Sequence, residues 1–505
     1  MGALNQIVDS RPARPQALDA AVAYLLIFLL LFAPLIKGGN RPVPLMVLEL
    51  ASLPLLVYVV WRADFFARLP RLLLIALSLL FFYPLLQGLP MPASVLQWLP
   101  GQAFYIEAVK TADAANAGLH RMSLVPQATF SAWLALLPPL AVFLVTLSLR
   151  DEWIKRVVYV FLGMAAFQAI LTLVQFGGGS QTAFRLSPTD FGEGIGTYVN
   201  RNHLAGFLEM ALPVGLGLLA ASIGRKNTAS QYVRKGFFRK LSHVLSHPRV
   251  NSAMVYSALS VALLLGVIFS RSRTGIGLAM LGIFLSALLY GRYIGGNRSK
   301  NLTTLFSVIG LALAIEIGLA PVLDRFSVDS ALEDARWTIY ATSLQGMMAF
   351  FPFGSGLGTF PDVYWRFQPD SIGLFVNHAH NDYIEYLFEA GIVAVLVMVL
   401  LALVYVMRWP GLLRHEHWSR LTFMQVGAGI GLFLMVLHGL TDYNLHIPAN
   451  AIYFALLAGV FFHRSSNRAR SVTQEPEEAS PMAVPTLVQP STPVPRVVIP
   501  NPFSE

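Results

Sequence analysis

The chain contains no cysteine among its 505 residues. This absence excludes disulfides, thiolate metal sites, iron–sulfur clusters and cysteine nucleophiles. Charge is also scarce, because only 12% of the residues are Asp, Glu, Lys or Arg, against roughly 25% in a soluble domain. A soluble chain of this length would need a polar surface around several cores, which this composition cannot supply. With 55% hydrophobic residues, the composition favours lipid as the surrounding solvent.

Twelve apolar segments are long enough, at about 17–25 residues, to cross a bilayer as helices. They are residues 20–36, 43–61, 71–90, 128–149, 157–176, 203–223, 252–270, 275–291, 302–320, 383–407, 421–440 and 447–463. The first follows Arg11 and Arg14 like a signal peptide, but no cleavage site precedes Lys37 and eleven segments follow, so we interpret it as a helix. The sequence therefore predicts an all-α polytopic membrane protein with about twelve transmembrane helices.

The basic residues predict the orientation of these helices, because Lys and Arg concentrate in cytoplasmic loops. With the N-terminus in the cytoplasm, 24 of the 36 Lys and Arg lie inside near the membrane and 11 lie outside. Arg496, in the tail, is the remaining one. The net charge of +9 is thus mainly a positive-inside signal, and we expect no nucleic-acid partner.

This topology predicts three regions. Residues 1–19 form a cytoplasmic N-terminus, residues 20–463 form the transmembrane domain, and residues 464–505 form a proline-rich cytoplasmic tail that we expect to be disordered. Two long external loops, residues 91–127 and 321–382, interrupt the transmembrane domain. No soluble catalytic domain and no internal repeat is evident in the sequence.

The second external loop has a pattern of its own. Ser330 and Glu333 form a capping box that predicts a helix over residues 331–350. An apolar face containing Trp337, Leu344 and Met348 is typical of a helix lying at a membrane interface. The glycine-rich stretch 354–360 resembles a phosphate loop, but no Rossmann unit surrounds it. We expect a tight turn there that lets the backbone approach a ligand.

Several arginines lie on the external side, where topology alone disfavours them. Arg201, Arg271 and Arg273 lie at the membrane boundary, and Arg336 lies in the predicted loop helix. A guanidinium presents a planar fork of donors that matches phosphate oxygens. Each arginine taken alone could instead snorkel to lipid headgroups or pair with an acid. As a group they favour a diphosphate site at the membrane surface.

The densest polar run is residues 377–385, which leads directly into the tenth apolar segment. We expect the helix to begin near Asn381, with His378 and His380 at its mouth. A histidine placed there can act as a general base or donate a hydrogen bond. A purely structural cap is the alternative. Two histidines at i and i+2 could chelate zinc, but two further ligands with convincing spacing are lacking, so we predict no metal site.

Acidic residues also stand out. Glu49, Glu209 and Glu316 fall inside apolar segments, where a charge is costly. They are candidates for a transport pathway, unless they are protonated or paired between helices. Asp442 lies in a compact polar turn at residues 441–448, where it could orient a histidine or an arginine. For His438 and His446 we expect structural roles.

Four segments resemble the superfamily of O-antigen ligases and O-antigen polymerases, which are bacterial membrane glycosyltransferases. These segments are Gly196–Gly206, Ser270–Gly275, Gly354–Gly391 with its Asn-His-Ala-His-Asn-Asp-Tyr run, and Asp442–Asn450. The resemblance extends over roughly residues 70–460. It rests on the order and topological placement of the segments, because no single motif is decisive.

The resemblance implies an inverting, metal-independent enzyme with a GT-C-like fold and no cofactor. It implies a glycan donor on undecaprenyl diphosphate, used at the periplasmic face of the inner membrane, and a glycan or lipid A core acceptor. The matched positions are Arg201 and Arg273 for the diphosphate, Arg336 in the loop helix, His380 with its neighbour His378 for the essential histidine, and Asp442 for an acidic position.

Three functions remain open at this point. A ligase transfers the glycan to a lipid A core sugar, and this is the function we expect. A polymerase of the same superfamily transfers it to another lipid-linked repeat, and no sequence feature separates the two. A transporter or flippase of polyprenyl-linked sugars is the alternative from another class, but inverted repeats, which such a protein often carries, are not evident.

Overall fold

The computed structural model describes residues 16–62, 66, 69–112, 119–178, 194–224, 252–294, 330–414 and 418–464. The α-helices of this part of the chain are α1 Gln16–Phe32, α2 Pro42–Trp61, α3 Arg71–Gln87, α4 Ala93–Leu96, α5 Gln102–Ala112, α6 Pro126–Ala135, α7 Leu137–Ser148, α8 Asp151–Gly178, α9 Arg201–Gly224, α10 Ser252–Phe269, α11 Arg273–Ile294, α12 Ser330–Phe350, α13 Phe360–Val363, α14 Asp382–Leu413, α15 Arg420–His438 and α16 Pro448–Phe462. Two short antiparallel strands, β1 Pro90–Pro92 and β2 Leu119–Arg121, pair with each other. Three 3-10 turns are Lys37–Gly39, Tyr364–Arg366 and Asn444–His446.

The predicted membrane spans are helices. In the described residues, eight helical segments are long and apolar enough to cross a membrane, and three shorter apolar helices accompany them. These segments coincide with eleven of the twelve predicted spans, and the ninth span, residues 302–320, lies outside the described residues. The fourth span is interrupted at Leu136, just before Pro138 and Pro139, whose nitrogens have no hydrogen to donate. The protein is therefore an all-α polytopic membrane protein.

Other predictions also fall outside the described part of the chain. They concern the basic segment 225–251, Glu316, and the proline-rich tail from residue 465. The side chains of the predicted capping box, Ser330 and Glu333, are likewise not described.

The helix α9 lies at the centre of the bundle. It packs against α8, α10, α11 and α15, and its apolar segment is buried along its whole length. On α15, Gly427 and Gly431 face the backbone of α9 at Pro213 and Met210, where a Cβ atom would collide. This small-residue spacing lets the two helices approach closely, as in many membrane bundles.

Residues 330–381, which precede α14, form a small core of their own on that helix. The helix α12 confirms the prediction over residues 331–350 and packs against α14 through Ile339, Phe350 and Phe388. Its predicted apolar face, with Trp337, Leu344 and Met348, is exposed. An exposed apolar face suits a helix lying against lipid.

The glycine-rich stretch 354–360 is a tight turn, but it does not leave its backbone free for a ligand as we expected. The amides of Ser355 and Gly356 donate to the carbonyls of Phe388 and Glu389 in α14, each at 3.0 Å. The side chain of Gln87 also accepts from the amide of Leu357 at 3.0 Å. The turn therefore docks on the transmembrane helices through its own backbone.

Candidate active site

The candidate site is built around the connection between α15 and α16, residues 439–447, which we name the late turn. Asp442 of this turn is buried. Its Oδ1 lies 3.3 Å from Nδ1 of His380, and its Oδ2 accepts a hydrogen bond from Nδ2 of Asn202 at 2.6 Å. The structure thus joins Asp442 to His380, one of the two histidines singled out from the sequence.

Three of the predicted arginines belong to elements that meet at the late turn. Arg201 and Arg273 are the first residues of α9 and α11. The residue after Arg201 is Asn202, which contacts Asp442, and the residue after Arg273 is Thr274, which accepts a hydrogen bond from Thr441 at 3.2 Å.

Arg336 of α12 reaches the same turn directly, because its Nη1 donates to the carbonyl of Thr441 at 3.3 Å. The amino-terminal ends of α9 and α11 add the positive ends of two helix dipoles at this place. Guanidinium groups and helix dipoles together suit the binding of a multiply charged anion.

Two other arginines, Arg271 and Arg366, stack on aromatic rings. The guanidinium of Arg271 lies 5.3 Å from the ring centre of Phe176, and that of Arg366 lies 4.1 Å from the ring centre of Phe104. These are cation–π contacts. Arg271 was predicted to bind diphosphate with Arg273, and its observed contact places its charge over Phe176.

The backbone holds His380 in an uncommon conformation. Its φ angle is +52°, a region that costs a residue with a side chain roughly 1–3 kcal/mol. The hydroxyl of Tyr340 donates to the His380 carbonyl at 2.8 Å. Next to it, Asn381 caps α14 by accepting from the amides of Tyr383 and Ile384. The helix therefore begins at the position predicted from the sequence.

The charge on Asp442 determines which ring nitrogen of His380 carries the proton. Burial raises the pKa of the Asp442 carboxyl, but the hydrogen bond with His380 and the nearby imidazole of His203 outweigh burial and hold this pKa well below its usual range. Because an ionised carboxylate only accepts hydrogen bonds, it places a proton on Nδ1 of His380 and leaves Nε2 free to take one. The His380 side chain is 28% exposed, so this arrangement can serve a general base.

Part of this site lies in a segment that resembles a known protein family. Residues 258–399 match the family model of the O-antigen ligases. The predicted resemblance to the O-antigen ligase and polymerase superfamily is therefore confirmed. No curated protein matches the chain. The matched segment includes Arg273, Arg336, His378 and His380, whereas Arg201 and Asp442 lie outside it.

A second polar cluster lies beside the first. The carboxylate partner of His378 is Glu385 and not Asp442, because Nδ1 of His378 lies 2.8 Å from Oε1 of Glu385. His446 of the late turn bonds through Nδ1 to Oδ1 of Asp382 at 2.8 Å. Its Nε2 lies 3.3 Å from Oε1 of Glu385. The two neighbouring histidines of the motif thus belong to separate carboxylate systems.

The charges of this cluster act strongly on His446. Burial alone lowers the pKa of the imidazole, but Glu385 and Asp382 outweigh it and raise the pKa of His446 to about 10. The sequence pattern predicts no role for Glu385 and only a structural one for His446. The available signal was the i, i+3 spacing of Asp382 and Glu385, which places two acids on one face of the first turn of α14.

Glu209 and Glu49, two acidic residues inside the described spans, lie in different environments. Glu209 of α9 is fully buried and pairs with His438 of α15, with 3.0 Å between Oε1 and Nδ1. Pairing between helices, one of the explanations considered from the sequence, thus accounts for Glu209. Glu49 lies half-buried in α2.

Proposed function

We propose that this chain is an inverting, metal-independent glycosyltransferase. It moves a glycan from undecaprenyl diphosphate to an acceptor hydroxyl on the lipid A core, at the periplasmic face of the bacterial inner membrane. The observation that carries the proposal is the convergence on the late turn: the His380–Asp442 pair meets the arginine-bearing starts of α9 and α11 and the side chain of Arg336. The family match supports an O-antigen ligase-type function in general.

In this mechanism the acceptor hydroxyl donates a hydrogen bond to Nε2 of His380. Its oxygen attacks the anomeric carbon from the face opposite the diphosphate, so that the configuration inverts. The new carbon–oxygen bond forms as the bond to the diphosphate oxygen breaks, and the bonding electrons leave with that oxygen. The hydroxyl proton passes to Nε2 of His380, and Asp442 stabilises the resulting imidazolium.

The arginines act on the leaving group. A diphosphate gains negative charge as the glycosidic bond breaks, and fixed guanidinium groups stabilise that charge without reorganising. We assign this role to Arg201, Arg273 and Arg336, with Arg271 as a further candidate. An undecaprenyl diphosphate that is released as the anion needs no general acid.

The decisive test of the base is His380→Ala, assayed for glycan transfer in membranes or proteoliposomes with lipid-linked donor. We expect transfer to fall by roughly 10²- to 10⁴-fold, the usual effect of losing a general base. The matched control is His463→Ala, which removes a histidine from a carboxylate pair with Asp151 and should leave transfer unchanged. Full activity of His380→Ala would remove His380 from the mechanism.

The arginines are tested separately with Arg201→Ala and Arg273→Ala. We expect a raised KM for the lipid-linked donor and slower transfer, with a smaller loss in the lysine variants, which keep charge but lose the planar fork. Arg366→Ala is the control, because Arg366 stacks on Phe104. If both alanine variants turn over the donor normally, the diphosphate site lies elsewhere.

The acceptor is identified by deleting the gene. Long lipid-linked chains that never reach lipid A support the ligase. Single repeats that accumulate on the lipid carrier would instead identify a polymerase. Normal surface polysaccharide together with normal lipid-linked pools would contradict both assignments.

A further inference from the structure

Three segments that are distant in sequence bring nitrogen and oxygen donors to one point beside the proposed base. His378 comes from the loop before α14, Glu385 from the first turns of α14, and His446 from the late turn. One donor atom of each residue lies within 4.8 Å of the others. Zinc binds nitrogen and oxygen ligands at about 2.0–2.2 Å, so the donor atoms of one site must lie close together, as these do.

The donors are also held in place by a second set of contacts. Asp382 fixes the His446 ring through Nδ1, which leaves Nε2 facing Glu385. This Nε2 is buried and makes no hydrogen bond to any residue that the structure describes. The amide of Ala379 donates to the other oxygen of Glu385, Oε2, at 2.8 Å. A carboxylate that orients a histidine through the nitrogen opposite the ligating one is the usual support of a metal ligand.

We propose that His378 Nδ1, Glu385 Oε1 and His446 Nε2 bind a divalent cation, with zinc the best match. A site made of two imidazoles and one carboxylate binds zinc in preference to magnesium or calcium. The carboxylates of Glu385 and Asp382 both lie beside His446 and create a negative potential that attracts a cation. The His378 side chain is 23% exposed, so solvent reaches the cluster.

The cation ties together the segment that carries His380, the start of α14 and the late turn that carries Asp442. Its role is therefore structural, and it takes no part in the transfer reaction, which the His380–Asp442 pair and the arginines carry out without a metal. The binding of a cation does not depend on the proposed transfer reaction, so the two proposals can fail separately.

The test uses the full chain, purified in detergent with an affinity tag that contains no histidine. After treatment with a chelator, the protein is titrated with Zn²⁺ alone, and bound metal is measured by elemental analysis and calorimetry. We expect about one zinc per wild-type chain, and affinity at least about tenfold lower in His378→Ala, Glu385→Gln and His446→Ala. His463→Ala is the matched control, because its histidine pairs with a single carboxylate; it should bind zinc as the wild type does.

A second variant separates metal binding from general damage. Asp382→Asn keeps all three ligands but weakens the support of His446, so we expect roughly 10- to 100-fold weaker binding. Zinc should also raise the unfolding temperature of the wild type and not that of His446→Ala. A wild-type protein that binds no stoichiometric zinc, or variants that bind it as tightly, would show that the cluster is only a hydrogen-bonded network and would overturn the proposal.

Discussion

At the scale of single residues, Asp442 joins the proposed base to the first turn of α9. It is buried and ionised, and it contacts both His380 and Asn202. We predict that Asp442→Asn lowers transfer by roughly 10²- to 10⁴-fold. The amide can present a donor to His380 in place of an acceptor, and it no longer stabilises the imidazolium. The measurement is kcat for transfer, with donor KM recorded separately.

A comparison with Asn202→Ala sharpens this prediction. Asn202 donates to the other oxygen of Asp442, so its loss should leave the His380 contact in place and reduce kcat less than Asp442→Asn does. If Asp442→Asn changes only donor KM and leaves kcat untouched, Asp442 belongs to binding and not to the proton transfer.

Asp442 also predicts a dependence of stability on acid. Its pKa in the fold lies below the ordinary value of 3.8, so the ionised carboxylate stabilises the fold above that value, and the contribution is lost as the pH falls further. Between about pH 5 and pH 3 the wild type should lose more stability than Asp442→Asn. The measurement is the unfolding temperature of both proteins in detergent across this pH range. If the two temperatures fall in parallel, the prediction is contradicted.

The residues predicted from the sequence were those whose location was anomalous. Arg201, Arg273 and His380 stood out because polar groups are rare at a membrane boundary. Asp442 was also singled out, as a residue that could orient a histidine or an arginine, but its contact with Asn202 was not predicted. Asn202 and Asp442 are 240 positions apart, and the contact between them depends on how α9 and α15 pack, which no local pattern encodes.

At the scale of helices, the glycine at residue 391 makes the fold of α14 possible. Gly391 has φ +54° and ψ −131° inside this helix, and a Cβ there would collide with the Pro352 carbonyl. We predict that Gly391→Ala destabilises the protein by at least about 1–2 kcal/mol. Gly411→Ala on the same helix is the control, because its Cβ meets open space. Unfolding in a detergent series measures both, and equal stabilities would contradict the prediction.

The pairing of α9 with α15 gives a second prediction. Glu209 and His438 are both fully buried, so Glu209→Leu leaves an unpaired imidazole and should cost about 3–5 kcal/mol. Replacing both residues, with Glu209→Leu and His438→Phe together, should recover much of this loss, because a well-packed apolar pair needs no partner for its charge. A double variant that is as unstable as the sum of the single variants would contradict this account.

Helix positions were more predictable than helix contacts. A span must satisfy its own backbone groups in lipid, so an apolar run of sufficient length is almost obliged to be a helix. The order in which helices pack carries no such requirement. The burial of α9 and the docking of residues 354–360 on α14 through backbone hydrogen bonds therefore appeared only in the structure.

At the scale of the whole molecule, the remaining prediction concerns orientation. The distribution of positive charges predicts both termini in the cytoplasm and the late turn at the periplasmic face. The absence of cysteine makes this testable with single cysteines on an unreactive background. Leu374→Cys lies in the exposed loop before α14, and Glu152→Cys lies at the exposed start of α8.

With the outer membrane permeabilised, a membrane-impermeant maleimide should label Leu374→Cys at once. Glu152→Cys should react only after the inner membrane is opened, because residues 150–156 belong to a basic cytoplasmic loop in the predicted topology. The unsubstituted chain is the blank in both conditions. The reverse pattern would place the His380–Asp442 pair in the cytoplasm, where a glycan presented at the periplasmic face could not reach it, and would contradict the proposed function even if every transfer assay in detergent succeeded.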